Sequence, residues 1–322
     1  MRLLVLGGTV FLGRHVVDAA LARGHHVTIY TRGRHGAAPE GAEHVIGDRA
    51  DVSPLRGRSW DASIDTSGYD PAHVAASTAL DVGHYVFVSS CNAYPAWPEE
   101  PVDEDSPTWT DGEGYGPDKA RCERHVLPGG AVVRAGLIVG PHDNIFRLPW
   151  WVRRIAHGGV VPAPGDPARQ LQIIDARDLA AWMVDLAERR VTGAFNGTAP
   201  IGQTTMGELL QTALEVAGSG AELRWIPDEA LERAEVEPWT ELPLWIPERF
   251  AGTWRIGTDR AQAAGLVCRP VADTLAAVAA WLRDGGEREL DDWRAEHRPP
   301  LMSRERETEL LEPRGPDAGA RS

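Results

Sequence analysis

The chain has 322 residues, a formal charge of −14 and 43% hydrophobic residues, so it is long enough for one large domain or two intimate ones and ordinary in composition for a globular protein. The acidic balance argues against nucleic acid or an anionic membrane as partner, since both need a basic face. No apolar run approaches the roughly 20 residues of a membrane span, and the expected location is the cytoplasm.

In chain order, RLLVLGG is a short apolar run that ends in glycines and reads as a buried parallel strand. It is too short for a signal-peptide core and enters a glycine loop rather than a cleavage site. FLGRHVVDAALARG follows with helical spacing and a glycine stop, then HVTIYTRG as a second strand. EHVIGD and DASIDTSG read as the third and fourth strands, a helix is expected from about Pro71 to Leu80, and YVFVSS is the fifth strand. Such alternation implies βαβ units, hence an α/β fold with a doubly wound parallel sheet.

Residues 94–114 are rich in Pro, Asp, Glu and Trp, and a loop of that length is expected to serve as a lid carrying Trp97 and Trp109. AVVRAGLIVGP reads as a further strand, ARDLAAWMVDLAERR as an amphipathic helix after QIID, and DTLAAVAAWLRDG as a last helix. The expected division is a dinucleotide-binding domain over 1–145, to which 166–198 returns, and a smaller interleaved substrate region of 146–165 and 199–300. A charged, proline-containing flexible tail follows over 301–322.

Gly7, Gly8 and Gly13 in LGGTVFLGR lie between the first strand and the first helix, where a pyrophosphate would meet the helix N-terminus. The middle glycine of the usual fingerprint is replaced by Val10. An NAD-preferring site places a carboxylate at the end of the second strand; here IYTRG offers Thr31 and Arg32, and Arg32 suits a 2′-phosphate. Arg14 is a candidate assistant. The expected cofactor is therefore NADP(H), with NAD(H) as the alternative.

Of 33 Lys and Arg residues only Lys119 is lysine, and Tyr115 precedes it by four, one helical turn away. A compact ammonium near a phenol favours phenolate and can also bond ribose hydroxyls, which a planar guanidinium does poorly. Ser89 and Ser90 end the fifth strand, and alternation lets only one of them face a crevice at the strand ends. Cys91, Cys122 and Cys268 are widely spaced with no CxxC pair, and eleven histidines include no HExxH, so no metal site is expected.

Glycine loop, strand-end serine and YxxxK together resemble the extended, epimerase- and dehydratase-like branch of the short-chain dehydrogenase/reductase superfamily, over most of residues 1–200. The loop GGTVFLG is of an atypical GGTxFLG kind. The resemblance implies a Rossmann sheet and catalysis by Ser90, Tyr115 and Lys119. Tyr115 would be general acid or base, Ser90 would bond the substrate oxygen, and Lys119 would hold the nicotinamide ribose and lower the tyrosine pKa. It further implies cofactor contacts at Gly7, Thr9, Phe11, Leu12, Gly13, Arg32, Asp48, Thr66 and Lys119. Asp48 lies in GDRAD, the segment similar to the family's adenine-binding stretch. A homodimer is common in that family.

Cys91-Asn92 follow the serine where dehydratases carry an acidic pair, Leu137 stands where epimerases usually carry asparagine, and Arg169 lies two residues early for the family's diphosphate-binding arginine. These departures favour an NADP(H)-dependent reductase or dehydrogenase of a small-molecule ketone or secondary alcohol. An NAD-dependent sugar epimerase is the first alternative, and a redox-silent NADP(H)-sensing or RNA-binding relative the second. Twelve tryptophans supply candidate pocket walls, and Trp150 and Trp151 with Asn92 are the expected substrate contacts.

Overall fold

The computed structural model describes residues 1–97, 100–297 and 301–312. The chain opens with β1 (Arg2–Leu6), α1 (Phe11–Ala22), β2 (His26–Thr31) and β3 (Glu43–Ile46). Next come β4 (Ser59–Trp60), β5 (Ala62–Asp65), α2 (Pro71–Thr78), β6 (Asp81–Val82) and β7 (Tyr85–Ser90). β4 and β6 pair only with each other, while the seven-stranded central sheet runs β13-β8-β7-β5-β1-β2-β3, parallel at every pairing. Its remaining strands are β8 (Ala131–Ala135), which follows α3 (Tyr115–Val126), and β13 (Gly193–Gly197).

β5 and β7 are buried at every position and β1 at all but its first, because helices cover both faces of the sheet and leave no solvent side for alternation to mark. On one face α1 packs with α5 (Ala176–Arg189) through Val16, Val17, Leu179, Trp182 and Met183. On the other, α2 and α3 cover the sheet through Val74, Cys122 and Val126. Strand order reverses between β1 and β5, so the crevice opens beyond the carboxyl ends of those strands.

AVVRAGLIVGP is two strands rather than the one expected. β8 stops at Ala135, and β9 (Leu137–Val139) leaves the sheet to pair with β12 (Ile173–Asp175). Gly136 lies at the break: a Cβ there would lie 2.5 Å from Thr198 Oγ1, so the Thr198 side chain occupies the space that any other residue would need.

The remaining elements are α4 (Arg147–Ala156), β10 (Val160–Pro164), β11 (Gln170–Leu171), β14 (Thr204–Thr205), α6 (Met206–Ala217), β15 (Glu222–Ile226), α7 (Asp228–Arg233), α8 (Asp259–Ala263), α9 (Val271–Arg283), α10 (Asp291–His297) and α11 (Arg304–Leu311). A second core gathers Trp151, Ile155, Leu209, Leu210, Leu275 and Val278 from α4, α6 and α9. α6 starts at a capping box between Thr205 and Glu208.

The tail expected to be flexible from 301 onward is ordered over 301–312. Met302 and Glu307 are buried, and both Glu307 carboxylate oxygens accept from Nε of Arg154 at 2.8 and 2.7 Å. A guanidinium buried on α4 requires a carboxylate, and α11 supplies it. Residues 313–322 of that tail lie outside the described residues.

Candidate active site

A cleft of about 1260 Å³ runs along the carboxyl ends of the sheet, from the glycine loop to the C-terminal half. At its first end Gly7 and Gly8 adopt φ of 105° and 114°, which only glycine holds without strain. Gly13 lets α1 pack directly on the loop, for a Cβ there would meet Gly8 N at 2.6 Å. Val10 takes the N-cap in extended geometry with no side-chain cap, and the first turn of α1 contains no acid. The amide end of α1 therefore faces the cleft uncompensated, as an anion site requires. Gly7, Thr9, Phe11, Leu12, Gly13 and Thr66 all line this end.

Beyond β2, Arg32, Arg34 and His35 line the cleft together, with Asp48 and Arg49 across from them. Arg49 was not among the expected residues. Its guanidinium donates to both carboxylate oxygens of Asp65 at 2.6 and 2.9 Å, and Tyr85 adds a hydroxyl donor at 2.7 Å. Burial alone would raise the Asp65 carboxyl, but the Arg49 charge beside it holds it below its ordinary value. The signal in the sequence was an aspartate closing an otherwise apolar strand.

Ser90, Tyr115 and Lys119 come together at the middle of the cleft. α3 presents Tyr115 and Lys119 one turn apart. Lys119 is almost wholly buried and donates to the carbonyls of Gly68 at 2.7 Å and Val88 at 2.8 Å, which leaves one N–H for a ligand. Its ammonium also stands 4.7 Å from the Tyr69 ring centre and 5.9 Å from that of Tyr115. Burial lowers the Lys119 pKa to about 8 against the opposing charge of Asp65.

Two tuning details differ from expectation. Burial pushes the Tyr115 hydroxyl above its ordinary pKa, and the groups that oppose the shift are the Ser90 hydroxyl and the Arg147 charge. Lys119 is not among the groups that oppose the shift; its ammonium donates to two backbone carbonyls. Ser90 caps the turn Cys91–Ala93 by accepting from Asn92 N–H at 3.1 Å, which leaves its hydroxyl proton free to donate. Ser89 points away: its hydroxyl donates to Glu123 at 2.5 Å. Glu123 in turn holds Arg134, whose guanidinium donates to the Tyr94 hydroxyl at 2.9 Å, and that hydroxyl donates to Asn196 at 2.7 Å. This buried network, which sequence reasoning missed, clamps α3 to β7, β8 and β13.

The far end of the cleft is lined by Leu137, Arg147, Trp239, Phe250, Trp254 and Trp97, with Asn92 at its edge. Trp150 and Trp151, expected to contact substrate, do not line it. Trp151 is fully buried and donates its indole N–H to the Pro243 carbonyl at 2.7 Å, and Trp150 packs against it in the second core. They are consecutive on α4, a helix enclosed by its neighbours, so neither reaches the cleft. The loop carrying Trp97 and Trp109 is pinned rather than free: Val102 pairs with Arg255 and Gly257, and Trp109 donates to the Asn92 carbonyl at 3.1 Å. Among the described residues no group of three or more His, Cys, Asp or Glu could hold a metal ion, and no helix is long and apolar enough to cross a membrane.

Residues 69–202 match the model of the NAD dependent epimerase/dehydratase family. In fold, the chain is similar to the Bordetella bronchiseptica enzyme WbmH in complex with NAD+, with a TM-score of 0.66 and 18% identity over 88% of this chain and 99% of that one. It is likewise similar to human epimerase family protein SDR39U1 with NADPH, with a TM-score of 0.62 and 22% identity over 87% and 99%. The family model spans less than half of the chain, and the solved structures show a shared fold.

Among curated proteins, the 3-diazoavenalumate denitrifying reductase of a Streptomyces species is 27% identical over 62% of this chain and 76% of its own. The chloroplast stem-loop binding protein of 41 kDa b of Arabidopsis thaliana is 24% identical over 58% of this chain, which spans only 54% of that relative. Two arginines considered for superfamily roles are engaged elsewhere. Arg14 pairs with Glu289 at 3.2 Å, and Arg169 donates to Asp228 at 2.7 Å and to the Ile246 carbonyl at 2.9 Å; neither lines the cleft.

Proposed function

We propose that the protein is an NADP(H)-dependent reductase or dehydrogenase acting on a ketone or secondary alcohol of a small molecule. The observation that carries this reading is the convergence of Ser90, Tyr115 and Lys119 on a cleft that begins at an uncapped helix N-terminus. The residues present fit a dinucleotide. Gly7, Thr9, Phe11, Leu12 and Gly13 would hold the pyrophosphate, Asp48 the adenosine end, Thr66 the middle of the cofactor, and the remaining N–H of Lys119 a ribose hydroxyl.

When bound, the nicotinamide supplies or receives the hydride. The Ser90 hydroxyl would donate to the carbonyl oxygen and orient it. Tyr115 would deliver its phenolic proton to that oxygen as the hydride reaches carbon, so that one hydride and one proton convert ketone to alcohol. In oxidation the same phenolate would take the proton back.

Arg32, Arg34 and His35 follow β2, whose own end carries Thr31 in place of an acid, and they support NADP(H) over NAD(H). The test is calorimetric titration with NADPH and NADH, beside absorbance of the protein as isolated. NADPH is expected to bind at least about tenfold more tightly, and Arg32→Ala to remove that preference, the loss of one charge-assisted pair being worth about that much. A second reading, an epimerase that retains NAD(H), draws support from the family match and from the UDP-glucose 4-epimerase of Thermotoga maritima among similar folds (TM-score 0.67, 18% identity). NAD(H) found tightly bound on isolation would put that reading first. The similarity to a stem-loop binding protein supports an RNA-binding reading less, because a charge of −14 opposes a polyanion.

A further inference from the structure

We propose that Arg147 and Trp254 form a subsite for the carboxylate of an aromatic acid, so that the substrate is an aryl-bearing keto acid or the matching hydroxy acid. This rests on the reductase reading and names the substrate class of the same cleft.

Arg147 opens α4, and its backbone is held in place. Asp143, fully buried, accepts from the amides of Ile145 and Arg147 at 3.1 Å each, and Phe146 between them takes φ of 67°. The guanidinium makes no hydrogen bond among the described residues, and its ion pair with Asp143 is long, at 3.9 Å. Its neighbours differ, since Arg153 pairs with Glu287, Arg154 with Glu307 and Arg169 with Asp228. Arg147 lines the cleft, and its charge is felt at Tyr115. From Asn92 to the C-terminal end, the residues that line the cleft include no carboxylate.

Trp254 is an independent sign. It is 3% exposed, it lines the same half of the cleft, and its indole N–H has no partner. Trp151, Trp182 and Trp245 donate theirs within the protein. A buried N–H without an acceptor is costly, and a ligand oxygen would satisfy it. Trp239 stands 5.2 Å from Trp254, and with Phe250 and Trp97 these rings form an apolar wall suited to an aryl group. One guanidinium and one indole N–H match one small anion. A diphosphate would call for further cations, and Arg169 is committed to Asp228.

The test separates this subsite from the redox reading. The non-reactive probe 3-phenylpropanoate is titrated calorimetrically into the NADP+ complex of the wild type, Arg147→Ala, Arg147→Lys and Trp254→Phe proteins. Reduction of 3-benzoylpropanoate and benzoylformate by NADPH is compared with that of their ethyl esters. The acids are expected to exceed the esters at least tenfold in kcat/KM. Arg147→Ala should raise KM for the acids at least tenfold, with NADPH affinity unchanged, and Arg147→Lys should recover part of the loss. Probe binding abolished by Arg147→Ala, without turnover of any ketone, would uphold the subsite and sink the reductase. Esters reduced as well as acids would do the reverse. The subsite is also overturned if 3-phenylpropanoate fails to bind, if Arg147→Ala weakens NADPH equally, or if UDP binds through Arg147 in place of the acid.

Discussion

Lys119 sits among two carbonyls and three aromatic rings with its charge only partly compensated, and a buried ammonium in that position must cost stability while it is protonated. Its pKa is about 8 in the folded chain against an ordinary 10.5, so between those values the folded protein binds fewer protons than the unfolded one. Stability therefore rises with pH across that window, by on the order of 3 kcal/mol in all. Urea denaturation of wild type and Lys119→Met from pH 7 to 10.5 checks this: the wild type should gain on the variant as pH rises, and a constant difference would refute the assignment. Tyr115→Phe removes the proposed proton donor while keeping the ring against Lys119, and should lower kcat about 10²- to 10⁴-fold with little change in NADPH affinity, as single-turnover kinetics would register. The pair was legible in the sequence because a lone lysine four residues after a tyrosine is a local pattern. The charge acting on the Tyr115 hydroxyl was not, because Arg147 arrives from another element 32 positions away.

At the scale of elements, the junction of β1 and α1 depends on a contact between backbones. Gly13→Ala would place a methyl 2.6 Å from Gly8 N and 2.9 Å from Thr66 Oγ1, and backbone cannot yield as a flexible side chain can. The expected result is a destabilisation of about 1–3 kcal/mol with loss of NADPH binding, measured by thermal melting with and without cofactor. A variant that melts like the wild type and binds NADPH would show that α1 has room to move. The glycines themselves were plain in the sequence, and so were the β-α alternation and the serine that turns to the cleft. The break at Gly136 was hidden, because the contact that forces it, Thr198, is remote in sequence.

For the whole molecule, α11 returns across the second core to neutralise Arg154. Glu307→Ala leaves that guanidinium buried with no carboxylate and should cost about 3–5 kcal/mol, whereas Arg154→Met with Glu307→Ala should recover much of it. Chemical denaturation of both variants is the check; equal losses in the two would mean that α11 is held by packing at Met302 and its neighbours instead. From sequence this segment reads as a solvated tail, because its charges are visible there and its partner is not.

The sequence by itself determined the α/β alternation, the glycine-lined entry to α1 and the helical turn that unites Tyr115 with Lys119, since all three are set by contacts between near neighbours along the chain. Only the tertiary structure decided which tryptophans line the cleft and which carboxylate each buried arginine meets. Those outcomes depend on burial and on pairing across more than a hundred residues, as Arg154 with Glu307 shows, and residue type alone does not specify the partner.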